Sequence, residues 1–129
     1  MRERIAQLQK QFAGQSLLLG IDRVDYIKGI PQKLLAMEAL LNSQPHLAGK
    51  VVLLQIAVPT RTEVPEYQRL RASAHRLVGR INGKFGSPSY VPIHYLDKSI
   101  DFEEMVALYH VAQVGHYPDP DPASSPIHS

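Results

Sequence analysis

Three short runs of consecutive apolar residues stand out along the chain: SLLLGI at 16–21, VVLLQIAV at 51–58 and YVPIHYL at 90–96. Runs that are continuous rather than alternating suit strands covered on both faces, as in a parallel sheet. Pro92 lacks a backbone donor and places the third run at a sheet edge or delays its start. Helical periodicity fills the intervals. Ile5, Leu8 and Phe12 form one stripe of a helix over 2–12, ended by Gly14. Pro31 fits the first turn of a helix that runs to Leu41 with Leu34, Met37, Leu40 and Leu41 on its apolar side. Pro65 starts another, where Tyr67, Leu70, Ala74, Leu77, Val78 and Ile81 share a face. In GRINGKFG, 79–86, the spacing predicts that this helix ends in an Asn-Gly turn. DFEEMVALYHVA opens with Asp101 and Glu104 at capping-box spacing, Asp being an imperfect member of that box.

The order helix, strand, helix, strand, helix, strand, helix predicts an α/β fold: a Rossmann-like parallel sheet joined by right-handed crossovers, with helices on both faces. Ligands of such sheets sit at the carboxyl ends of the strands. The segments 20–33 and PTRTEVPE both leave a strand there and should open on one edge. From Gln113 the composition changes. QVGHYPDPDPASSPIHS holds four of the ten prolines and no Lys or Arg. We therefore divide the chain into a domain at 1–112 and a Pro-rich flexible tail at 113–129.

Composition narrows the function classes. The 129 residues are enough for one domain with a core. A net charge of +2, spread along the chain, gives no footprint for nucleic acid. The absence of cysteine excludes disulfides and thiolate metal sites. No run reaches membrane-spanning length, and MRERIAQLQKQF lacks the apolar stretch of a signal peptide. The expectation is a soluble cytoplasmic protein.

Candidate chemistry gathers in GIDRVDYIKGIPQK. Arg23 offers a planar fork of donors and Lys28 a mobile point charge, both suited to phosphate oxygens. Gly20 and Gly29 let backbone approach a ligand, and the following helix start adds free N–H groups. The competing reading is a solvated turn in which Arg23 pairs with Asp22 or Asp25. That is the commoner outcome for a loop matching neither the Rossmann glycine fingerprint nor the Walker loop. Arg61 lies on the same predicted edge, where a surface pair with Glu63 competes with a phosphate contact. Asp22 and Asp25 could act as acid and base, but orienting groups or loop caps are the commoner use. Arg80 and Lys84 read as a solvated turn rather than a phosphate contact. The histidines, His46, His75, His94, His110, His116 and His128, form no ligand pair at metal spacing on one helix face. No serine elbow is present.

LLLGIDRVDYIKGIPQKLLAMEALL, KVVLLQIAVPTRTEVPEYQRL, LVGRINGKFG and IHYLDKSIDFEEMVALY resemble, in order and spacing, the alpha,alpha-trehalose-phosphate synthase family over roughly residues 1–114. The resemblance implies the first half of the C-terminal, nucleotide-sugar domain of a GT-B glycosyltransferase. It implies transfer of glucose from UDP-glucose to glucose 6-phosphate, with retention, giving trehalose 6-phosphate and UDP. By position, Arg23 and Lys28 match the catalytic pair that binds the leaving diphosphate. Arg61 matches the arginine on the phosphate of glucose 6-phosphate, and Ile100 a position whose backbone meets uracil. No metal or other cofactor is implied, because side-chain cations neutralise the diphosphate. The family continues past the last helix with a strand and a ligand-gripping motif ending in a glutamate. Here GHYPDPDPASSPIHS stands instead, and the family's N-terminal domain has no counterpart. The expectation is a fragment without turnover alone. A non-catalytic module that senses sugar phosphates or docks on a full-length synthase is the alternative.

Overall fold

The computed structural model describes residues 1–23, 29–59 and 65–115, without the side chains of 113–115. The elements are α1 (Arg2–Gln11), β1 (Ser16–Arg23), α2 (Gly29–Ser43), a 3-10 turn (Pro45–Leu47), β2 (Val51–Val58), α3 (Pro65–Phe85), β3 (Ile93–Asp97) and α4 (Phe102–Gly115). The alternating pattern is thus the observed one. The strands form one parallel sheet in the order β1-β2-β3. β2 is central, and seven of its eight positions are buried, which is why its run is apolar on both faces.

Side chains alternate across each strand. Leu17, Val52, Leu54 and Ile56 pack with Leu8 of α1, with Phe12 that caps it, and with Ala107, Leu108 and Val111 of α4. The intervening positions, Leu53, Ala57 and Ile93, pack with Ile30, Leu34, Met37 and Leu41 of α2 and with Ala74 and Ile81 of α3. Two helices therefore cover each face.

Local chemistry sets the element ends. Gly14, at φ 78°, adopts the left-handed conformation that turns the chain out of α1 into β1. The Asp101 side chain accepts the Glu104 N–H at 2.8 Å and starts α4. The reciprocal half of the box is missing, because the Glu104 carboxylate is taken by Arg4 of α1. α4 runs to Gly115, past the compositional change at Gln113, and 116–129 lie outside the described residues.

One sequence expectation needs correction. Asn82 and Gly83 lie inside α3, which runs to Phe85, so there is no Asn-Gly turn. The Asn82 amide instead pairs with β3 as a strand backbone would. It donates to the Ile93 carbonyl and accepts the Ile93 N–H, both at 2.9 Å. The third strand starts late, at Ile93, as Pro92 anticipated. Tyr90 closes a small bridge with Ser87 and donates its hydroxyl to the Val51 carbonyl. Pro92, which has no N–H, still accepts from Leu53 at 2.8 Å. β3 is both late and at the edge.

Candidate functional site

The parallel register aligns the strand ends. Arg23 is opposite Val58, and Ala57 is opposite Asp97. The segments after β1, β2 and β3 therefore leave from one edge, as the apolar runs predicted. α2 and α3 lie on one face of the sheet, while α4 lies over the other face and packs on β1. The carboxyl end of β1 belongs to the edge where open α/β sheets bind ligands. Arg23 stands there, exposed, as the last residue of the strand. Lys28, Arg61 and Asp25 lie outside the described residues.

Asp22, one residue before Arg23, is held on two sides. Its Oδ2 accepts Lys33 Nζ of α2 at 2.6 Å and Gln55 Nε2 of β2 at 2.9 Å. This is an orienting role, the commoner use anticipated for such a carboxylate. Gln55 is fully buried, the one polar side chain in its strand, and also donates to the Ile56 carbonyl at 3.2 Å. It lies over Gly20. A Cβ at position 20 would come within 2.3 Å of Gln55 Oε1, so a methyl added there would have to displace the Gln55 amide. Sequence reasoning missed both Gln55 and Lys33. The signal was present as a lone polar residue in an apolar run.

At the other end of the edge, Asp97 Oδ2 lies 2.6 Å from His75 Nε2 and 3.3 Å from Arg71 Nε, both on α3. The neighbouring Tyr95 ring meets His75 edge-on, with centroids 5.3 Å apart. Burial, reinforced by the Asp97 carboxylate, raises the Tyr95 hydroxyl above the usual phenol range. Arg80 pairs with Glu38 at 2.6 Å and Lys84 with Asn42 at 3.2 Å, so both join α3 to α2.

Ile100 follows β3 and packs against the α1/α4 core. It lines a cleft of about 400 Å³ with Phe12, His94, Leu96, Lys98 and Ser99 among its walls. His94 meets Phe12 edge-on at 5.5 Å, and burial lowers its pKa. Across the cleft mouth Arg4 forms a two-point ion pair with Glu104 at 2.8 and 2.7 Å. That hydrogen bonding raises the arginine and lowers the carboxylate. Among the described residues no three His, Cys, Asp or Glu gather to hold a metal, and no helix is long and apolar enough to cross a membrane.

A parallel sheet covered by helices on both faces, with its strands ending on one edge, defines a Rossmann-like class of α/β domain. The sequence profile of glycosyltransferase family 20 matches residues 1–116, and the chain belongs to that family. It is 56% identical over 112 residues to an alpha,alpha-trehalose-phosphate synthase (UDP-forming) of Aspergillus fumigatus, covering 87% of this chain and 22% of that protein. A Burkholderia xenovorans synthase solved with glucose-6-phosphate superposes with a TM-score of 0.80 at 33% identity, covering 85% of this chain and 24% of that one. An Escherichia coli trehalose-6-phosphate structure bound with UDP-2-fluoro glucose superposes with a TM-score of 0.79 at 34% identity, with the same two coverages, 85% and 24%. The chain thus spans under a quarter of the length of these relatives, and the fold is that of a partial GT-B domain.

Proposed function

We propose that the chain is part of the nucleotide-sugar half of a retaining glucosyltransferase that moves glucose from UDP-glucose to glucose 6-phosphate. The observation that carries this is the position of Arg23 at the carboxyl end of β1, in register with the end of β2. The ligands of the solved relatives, glucose-6-phosphate and UDP-2-fluoro glucose, support the substrate pair. In this reading Arg23 and Lys28 hold the diphosphate. As the glycosidic bond breaks, charge grows on the departing oxygen, and fixed cations lower the barrier there. Arg61 holds the acceptor's phosphate, and the backbone at Ile100 meets uracil. Side-chain cations do the work a metal would otherwise do. A chain without cysteine suits a reducing compartment such as the cytoplasm.

Calorimetric titration of UDP-glucose into the purified chain tests the reading, with Arg23→Ala as control. Saturable binding lost in the variant is expected, together with no trehalose 6-phosphate above blank when glucose 6-phosphate is added. Equal binding by both proteins contradicts it.

Docking on a full-length synthase is a second reading, favoured by one observation. Phe102, Val106 and Tyr109 are exposed at i, i+4 and i+7 along α4, an apolar stripe that a partner would cover. Co-purification with a full-length synthase, lost in Phe102→Glu, supports it. Absence of a complex refutes it.

A further inference from the structure

We propose that Asp97, His75 and Arg71 are positioning residues for the base: they fix the turn at Lys98–Ile100, and with it the backbone that meets uracil. The proposal rests on the functional reading above. Asp97 is the last residue of β3. Its Oδ2 takes His75 Nε2 at 2.6 Å and Arg71 Nε at 3.3 Å, both from α3 on the α2/α3 face. A short step further along the chain, the Ile100 side chain packs into the α1/α4 core on the opposite face. The next residue, Asp101, caps α4 by accepting the Glu104 N–H at 2.8 Å. The turn therefore wraps the end of β3 and is held from both faces of the sheet.

What the turn leaves open is its backbone. Among the described residues, no N–H or carbonyl of Lys98, Ser99 or Ile100 bonds to other backbone. All three residues border the cleft of about 400 Å³. An unbonded backbone that is also loose is an ordinary surface turn. One pinned on two faces presents its donors and acceptors in a fixed direction, and pre-organised groups bind with less ordering entropy to lose. Such groups can read a base, because uracil presents the O4 acceptor where cytosine presents the N4 donor. The Asp97 side chain is only 19% exposed and takes two charge-assisted donors on one oxygen, which constrains its direction. His75 also braces the ring of Tyr95, which shares the face of β3 with Asp97. None of Asp97, His75 and Arg71 lines the cleft, so they act through the backbone and not on the ligand.

The test uses the intact chain as wild type, the double variant His75→Phe with Arg71→Met, His75→Gln and Asp97→Asn. Phe keeps a ring against Tyr95 but removes the donor, whereas Gln keeps a donor. Two readouts are taken: NMR order parameters of amides 98–100, and the affinities for uridine and cytidine by shift titration. Wild-type amides 98–100 should have order parameters of roughly 0.85, as in rigid backbone, although they bond to no other backbone. In the double variant these should fall while those of β2 hold. Uridine affinity and its margin over cytidine should drop about three- to tenfold, the size that two half-exposed pairs support. His75→Gln should behave as wild type, and Asp97→Asn should show the same changes at smaller size. Flexible wild-type amides at 98–100 overturn the proposal. So does a double variant in which β2 loosens as much as 98–100. Failure of wild type to bind uridine overturns the functional reading and the base role with it, whereas binding with an unchanged margin in both the double variant and Asp97→Asn overturns the positioning role alone.

Discussion

On the α1/α4 face the strands present Leu17, Ile21, Val52, Leu54 and Ile56, and the one polar residue packed there from a strand is the edge histidine His94. On the α2/α3 face the same alternation begins apolar with Leu18, Leu53 and Ile93 and then turns polar through Gln55 and Tyr95 to Asp22 and Asp97. Each of those two carboxylates is tied to the helix covering its strand, Asp22 to Lys33 and Asp97 to His75 and Arg71. The difference separates two tasks. Both faces supply cohesion. The α2/α3 face in addition fixes the two strand-end carboxylates against their helices, because charge-assisted bonds constrain angle where apolar contact does not.

The comparison can be broken in several ways. Truncating the packing should not distinguish the faces. Leu34→Ala and Leu108→Ala, both of buried residues, should each cost about 3 kcal/mol in urea unfolding. A gap above about 2 kcal/mol would mean that one face lies outside the cooperative unit. Next comes Gly20→Ala. Its new methyl must displace Gln55, at a cost of about 2 kcal/mol. In a Gln55→Ala background most of that cost should vanish, and an unchanged cost would show that the clash is not with Gln55.

The α1/α4 face should respond to acid. Burial holds His94 below its ordinary value of 6.5. Between that value and the lower folded one the unfolded chain binds the extra proton, so stability falls as pH drops below 6.5. Glu104, lowered from 4.5 by Arg4, adds a second loss that starts lower and is complete once pH passes below its folded value. His94→Gln should flatten the first decline in pH-dependent unfolding and leave the second. Smallest is Arg4→Ala, expected to cost about 0.5–1 kcal/mol near neutrality because the pair is partly exposed. The cost should disappear once Glu104 is protonated.

Much of this architecture was legible in residue order. Apolar runs located the strands because a parallel sheet buries both faces, and Pro92 marked the late edge strand. The misses share a cause, since each depends on a partner distant in sequence. Asn82 reads as a turn residue until Ile93 is seen to use its amide as a strand backbone. Gln55 reads as one polar residue in an apolar run until Asp22 and Gly20 are placed beside it. Arg23 was legible as a cation near the edge because the apolar run ends at Ile21, although β1 itself continues through Arg23. The Lys33 ion pair was not, because helix phase and strand register must both be known before the two side chains can be brought together.

The most direct test of the central claim is a pair of calorimetric titrations, UDP and uridine, into wild type and Arg23→Ala. A diphosphate cradle at the end of β1 predicts that wild type binds UDP at least about tenfold tighter than uridine, the worth of one charge-assisted contact. That gap should collapse in Arg23→Ala while uridine binding stays the same. Equal affinity of wild type for the two ligands, or a gap that survives in Arg23→Ala, would contradict it.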